Sequence, residues 1–215
     1  MGGVREQSRE RTTGAILAAA RAEIAAHGGG GLSMRAVARE VGLVSSAVYR
    51  YFPTREALLT TMIVESYEGL AAALGEVRVR RPDRRWVALG HAFRDWARER
   101  QHEFQLVYGT PIPGYVAPPE TIPAAEAVAG HFLQAAKGAE VTPFAGPRLV
   151  RQMVGLESVG GATGSGAAAV LAELAALVGF VSLELAGHFV GTADPADHLY
   201  AALLDRQVGT LGLRA

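Results

Sequence analysis

The chain contains no cysteine, which excludes a disulfide framework, a thiol nucleophile and a cysteine-ligated zinc finger. No long apolar run opens it. Residues 1–14 are polar and carry Arg5, Arg9 and Arg11, unlike a signal peptide. The most apolar stretch, Gly166–Val190, is interrupted by Glu173, Glu184 and His188, so it is a poor membrane span. No segment alternates apolar and polar residues long enough to suggest a sheet. The histidines at positions 27, 91, 102, 131, 188 and 198 lack a ligand spacing such as H-x-x-x-H, and no serine or carboxylate pair forms a recognisable catalytic set. These absences predict a soluble, cytoplasmic protein that is not an enzyme and holds no metal or cofactor.

What is present is apolar and helical. Hydrophobic residues make up 49% of 215, enough for a sizeable core and against global disorder. An amphipathic helix is predicted from about Ser8 to His27, with Ile16, Leu17, Ala20 and Ile24 inward, stopped by Gly28–Gly31. Thr54 is the expected cap of a helix running to about Arg78. Pro82 and Asp83 open another, carrying Trp86, Leu89, Phe93 and Trp96. Five prolines between Gly109 and Pro123 predict a loop. Further helices are expected over 123–139, 145–160, 166–190 and 195–211. The fold class is therefore all-α.

Ser33–Leu58 is the most informative stretch. Ser33 is a plausible N-cap. Val37, Ala38 and Val41 share one helical face, and Gly42 supplies the left-handed turn that ends a helix sharply. Ala47, Val48 and Phe52 then make a second inward face, leaving Ser45, Ser46, Tyr49 and Arg50 outward. A short helix presenting hydroxyls, a phenol and a guanidinium suits a DNA major groove. Charge agrees. The formal net charge is zero, yet residues 1–55 hold eight Arg against four Glu (+4), leaving thirteen Lys plus Arg against seventeen Asp plus Glu (−4) for the rest. The positive field falls on the segment that would meet phosphates.

Residues 9–58 resemble the DNA-binding domain of the tetracycline-repressor (TetR) family of bacterial regulators. Ser33, Val37-Ala38, Gly42, Ala47-Val48-Tyr49, Tyr51-Phe52, Arg55 and Leu58 carry the resemblance without a gap. It implies a helix-turn-helix domain over residues 1–54, and a helical ligand-binding and dimerisation domain over 55–215. This sequence departs from the family at Val44, where Ser or Thr usually caps the recognition helix; Ser45 is the substitute expected here. Tyr51 stands in place of the usual His, and Arg55 in place of Lys. The C-terminal part is similar to a ligand-domain subgroup named for Trp, His and Gly, through Gly179–Phe189 and Tyr108–Pro111. The Trp and His positions are Leu174 and Val178 here.

The expected DNA-contacting set is Arg35, Ser45, Ser46, Tyr49, Arg50, Tyr51 and Arg55. Ser45, Ser46 and Tyr49 face base edges or nearby phosphates, Arg50 reaches either, and Arg35, Tyr51 and Arg55 grip the backbone. Tyr49 and Tyr51 also read as packing residues, and Ser45 as a cap alone. Arg78, Arg80, Arg81, Arg84 and Arg85 form a second basic run that reads as a solvated helix end, some ~36 Å from the other end of its helix by the rise of ~1.5 Å per residue. Gly164–Ala169 fits G-x-G-x-x-A, but no strand precedes it, so an interhelical loop is expected.

A regulator of this kind is expected to hold a small, largely apolar effector. His91, Trp96, Phe104, Tyr108, Met153 and Glu157 are the candidate lining, with Gln105 and His131 as further polar groups and the Pro-rich loop as rim. Gly166–Val190 is apolar nearly all round, and a helix apolar on two sides needs two partners. A homodimer through 166–190 and 195–211, on a palindromic double-stranded operator, follows. The alternative is a helical small-molecule-binding protein with a vestigial helix-turn-helix.

Overall fold

The computed structural model describes residues 3–137, 139–144, 146–152 and 164–214. Its α-helices are α1 (Gly3–His27), α2 (Met34–Glu40), α3 (Ser45–Val48), α4 (Arg55–Gly75), α5 (Pro82–Glu99), α6 (Gln101–Tyr108), α7 (Ile122–Ala135), α8 (Pro147–Gln152), α9 (Gly164–Leu185) and α10 (Asp197–Thr210). Short 3-10 turns lie at Gly29–Gly31 and Pro119–Thr121. No strand occurs among the described residues, so the all-α expectation holds.

The chain divides into two compact units, and the division is not the expected one at residue 54. One unit, the head, comprises residues 1–66 with 102–121; the other, the body, comprises 67–101 with 122–215. The first half of α4, nearly all of α6 and the Pro-rich loop thus belong with the helix-turn-helix.

In the head, α1 buries Ile16, Leu17, Ala20 and Ile24, as its periodicity predicts. They meet Val37 and Ala38 of α2, Val48 and Phe52, and Leu58, Leu59 and Met62 of α4. Arg21 on α1 is ion-paired to Glu65 on α4. Leu106, Ile112 and Tyr115 pack on the same core, and the Tyr115 hydroxyl lies 3.0 Å from Thr60 Oγ1. The Pro-rich loop is a strap on the head, where a pocket rim was expected.

The body's core is built on α5, whose Trp86, Leu89, Phe93, Trp96 and Ala97 are all buried. Phe132 of α7 meets Trp86 edge-on at 5.2 Å and Phe93 at 6.4 Å between ring centres. Val170, Leu174, Leu177 and Val181 of α9 and Tyr200, Leu204 and Val208 of α10 are buried with them. Two helices, α4 and α9, are long and apolar enough to cross a membrane by length and composition. Both bury an apolar face in this core or the head's, and Glu184 near the end of α9 is ion-paired to a buried arginine.

Several boundaries move. α9 starts at Gly164, so the G-x-G-x-x-A residues lie in its first turns and not in a loop. It ends at Leu185, short of Val190, and the chain reverses through Gly187 at φ 77°. Of the expected helix over 145–160, α8 covers Pro147–Gln152; Met153 and Glu157 lie outside the described residues.

Candidate nucleic-acid interface

The turn between α2 and α3 is set by local chemistry. Ser33 caps α2, its Oγ accepting from the Ala36 amide at 3.3 Å. Val41 closes the helix, and Gly42 adopts φ 67°, a conformation that would strain any side-chain-bearing residue. Thr54 caps α4, its Oγ1 accepting from the Ala57 amide at 3.0 Å.

α3 begins at Ser45 with Val44 at the N-cap position and no side-chain cap. Ser45 therefore lies inside the helix and does not substitute as the cap. Val48 is fully buried and Phe52 nearly so, anchoring α3 from behind. Ser46, Tyr49 and Arg50 are exposed, as is Arg35 on α2, while Ser45 is half-buried. Val44 is 69% exposed. An apolar side chain standing free at the tip of this helix is a candidate contact that sequence reasoning treated only as a missing cap.

Tyr51 and Arg55 behave differently from the rest. Tyr51 is half-buried against the head core, with the Arg9 guanidinium carbon 5.8 Å from its ring centre. Arg55 turns inward. Its Nε donates to the Leu32 carbonyl at 3.0 Å, and its Nη2 to the carbonyls of Gly29 at 2.8 Å and Gly30 at 3.1 Å. The glycine run is thus more than a stop signal. Its short turn and the residue after it present three carbonyls to one guanidinium, and a Cβ at Gly29 would lie 2.7 Å from Ile112 Cδ1. Arg55 pins the α1–α2 connection to the start of α4, where a phosphate grip was expected. Arg55→Ala is expected to destabilise the protein by about 1–3 kcal/mol, since it strands part-buried acceptors, while leaving the salt dependence of DNA binding nearly unchanged. Thermal melts and salt titrations check this. A fall of about one in the salt slope with unaltered stability would return Arg55 to the phosphate-contacting set.

The expected effector residues are split. His91 and Trp96 belong to the body, Phe104 and Tyr108 to the head. Phe104 is buried and stacks obliquely on Tyr108 at 5.3 Å. His91 is exposed, edge-on to Tyr200, so it lines no interior. His131 is half-buried near Arg85. Burial first, and the Arg85 charge second, hold its ring below the usual histidine range.

Sequence reasoning missed the most ordered polar group in the body. Arg94 is 4% exposed. Its Nε donates to Glu184 Oε2 on α9 at 2.7 Å, its Nη2 to the other oxygen of the same carboxylate, and its Nη1 to Asp197 Oδ1 on α10 at 2.7 Å. The guanidinium lies 4.9 Å over the Tyr200 ring, whose hydroxyl donates to the Gly90 carbonyl at 2.6 Å. A second buried link runs from Trp86 Nε1 to Gln207 Oε1 at 3.0 Å and from Gln207 Nε2 to the Glu173 carbonyl at 2.8 Å. Together they tie α5 to α9 and α10. Arg94 sits one helical turn before Arg98 and Asp95 is its neighbour, so in sequence it reads as one charge among many.

A helix-turn-helix with its polar face outward, on an otherwise helical chain with no catalytic set among the described residues, defines a DNA-binding regulator. Residues 16–62 match the family described as "Bacterial regulatory proteins, tetR family", and residues 86–207 one described as "Tetracyclin repressor-like, C-terminal domain". The chain belongs to the TetR family of transcriptional regulators. Neither description names the Trp-His-Gly subgroup. The HTH-type transcriptional regulators Mb1846 of Mycobacterium bovis and Rv1816 of Mycobacterium tuberculosis are each 40% identical over 138 residues, covering 62% of this chain and 59% of theirs. The matched stretch thus spans less than two thirds of those relatives. The crystal structure of regulatory protein SCO4313 superposes with a TM-score of 0.79 at 28% identity, over 95% of this chain and 98% of that one. PfmR, a TetR family transcriptional regulator from Thermus thermophilus, shares the fold at a TM-score of 0.56 and 19% identity, over 89% of this chain and 97% of that one.

Proposed function

We propose that this protein is a cytoplasmic homodimeric repressor that binds a palindromic operator and is released by a small, largely apolar effector. The observation that carries the DNA-binding part is the exposed row Ser46, Tyr49 and Arg50, held from behind by buried Val48 and Phe52. Ser46 and Arg50 supply hydrogen bonds to base edges or phosphates, Tyr49 does so with a flat apolar ring, and Val44 offers methyl groups suited to a thymine methyl. Tyr49→Ala, and Ser46→Ala combined with Arg50→Ala, are each expected to weaken operator binding by about 1–3 kcal/mol, roughly 5- to 150-fold. Fluorescence anisotropy reads the affinity and circular dichroism checks the fold. Normal operator binding by Tyr49→Ala would mean that another face reads the DNA.

Dimerisation is supported by α9. Ala172, Ala175, Ala176, Gly179 and Leu183 are exposed along one side of it, with Leu183 46% exposed, and Leu199 on α10 is 44% exposed. An apolar stripe of small residues on the surface fits a self-complementary helix interface. Two recognition helices then reach successive major grooves about 34 Å apart.

The effector reading is supported by the body's helices. A Cβ at Gly69 of α4 would lie 3.8 Å from Trp96 Nε1 of α5, and one at Gly75 of α4 would lie 3.6 Å from His131 Cε1 of α7. A ligand seated among these helices acts on α4, which also supplies Leu58, Leu59 and Met62 to the head core. It lowers DNA affinity only by binding the DNA-incompetent arrangement more tightly. Selection of bound duplexes from random DNA tests the reading. Enrichment of an inverted repeat, lost on adding compounds that stabilise the protein, is the expected result. Recovery of no preferred sequence would favour a small-molecule-binding protein with a vestigial helix-turn-helix.

A further inference from the structure

α1 starts much earlier than core packing requires. Its first buried residue is Ile16, yet the helix begins at Gly3. The thirteen residues from Gly3 to Ala15 make an overhang of about 20 Å at ~1.5 Å per residue. Residues 6–11 are exposed, so tertiary packing does not hold this segment. Local terms do: Arg, Glu and Gln are good helix formers, Glu6 suits the first turn, and Thr12 bonds back to the Ser8 carbonyl at 2.9 Å.

The overhang has a direction. Ile16 opens the buried stripe, half-buried Thr12 and Thr13 precede it, and Arg9 stands two turns before Ile16 on the same face. The stripe that faces the core further along thus becomes cationic where the core ends. At that point Arg9 lies over Tyr51, immediately after Tyr49 and Arg50. No carboxylate pairs with Arg9 and no hydrogen bond engages it among the described residues. An exposed cation on an aromatic ring contributes only about 0.5–1 kcal/mol, too little to account for several turns of unpacked helix. Glu6 and Glu10 each follow an arginine by one position and so lie further round the helix, leaving Arg9 on the side that adjoins the recognition segment.

We propose that the N-terminal overhang of α1 is a DNA-contacting arm in which Arg9, steadied by Tyr51, grips a backbone phosphate flanking the bases read by α3. The proposal rests on the reading of α3 as the recognition helix. The arm lengthens each half-site outward without adding base preference, because a phosphate contact positions and does not specify.

The test is a salt titration of operator binding by the full chain, using duplexes with long flanks and with flanks trimmed to the selected repeat. Wild type, Arg9→Ala and Arg9→Lys are compared. Each phosphate contact contributes about 0.9 to the slope of log affinity against log salt, so a dimer losing two should drop by roughly 1.8. Arg9→Ala is expected to show that drop, to keep the wild-type sequence preference and to be indifferent to flank trimming that weakens wild type. Arg9→Lys should restore most of the slope, since a phosphate accepts any positioned cation. Equal slopes for wild type and Arg9→Ala, with normal operator binding by both, would overturn the arm alone. Wild-type protein that binds no duplex would overturn the recognition reading and the arm with it.

Discussion

Replacing Arg94 with alanine is expected to cost about 3–5 kcal/mol of stability, the usual penalty for removing one partner of a buried ion pair. For a chain of this length that is a fall in melting temperature of roughly 6–20 °C. The cost comes from what is left behind. The Glu184 side chain is only 16% exposed, and without the guanidinium its carboxylate is stranded beside the Tyr200 ring. Arg94→Ala with Glu184→Leu should recover much of the loss, because an apolar pair carries no uncompensated charge. Thermal and denaturant melts of the two variants check both statements. A loss below about 1 kcal/mol for Arg94→Ala would mean the pair behaves as an exposed one. The acid limb should respond too. The hydrogen bond from Arg94 holds the Asp197 carboxyl below its ordinary range. A depressed carboxyl stabilises the fold above the unfolded-state value, about pH 4, and that contribution disappears as pH falls through the folded-state value.

Gly179→Glu is expected to separate assembly from folding. In the single chain a Cβ at Gly179 meets nothing within 4 Å, and exchanging an interior helical glycine for a good helix former gains up to about 1 kcal/mol. Helicity should therefore be retained. If α9 packs against its symmetry mate, the same change places two carboxylates in an apolar seam. The expected outcome is a monomer at micromolar concentration in analytical ultracentrifugation, with operator affinity reduced about 100-fold or more, as the second head's effective concentration is lost. A dimer that survives Gly179→Glu would place the interface elsewhere.

What was legible in the sequence is what repeats within a few residues. The inward row Ile16, Leu17, Ala20 and Ile24, the caps Ser33 and Thr54, and the left-handed Gly42 all express local rules, and each stands where expected. The reading face followed from the same periodicity, because burying Val48 and Phe52 leaves Ser46, Tyr49 and Arg50 outside. What was not legible depends on partners far along the chain. Arg55 finds carbonyls 23 to 26 residues earlier, and Arg94 finds carboxylates 90 and 103 residues later. No spacing rule connects such positions. The effector residues failed for a related reason. Large aromatics signal burial without saying in which core, and the chain passes from body back to head between Trp96 and Phe104.

That return passage bears on any attempt to exchange parts between relatives. A chimera cut once, after residue 66, would carry a head whose core lacks Leu106, Ile112 and Tyr115. Grafting DNA specificity from one regulator to another therefore requires two splices, with residues 102–121 moving together with residues 1–66. The same arithmetic applies on the ribosome: the reading head waits for a segment synthesised after the first part of the body, so the unit that is N-terminal in sequence is not complete first.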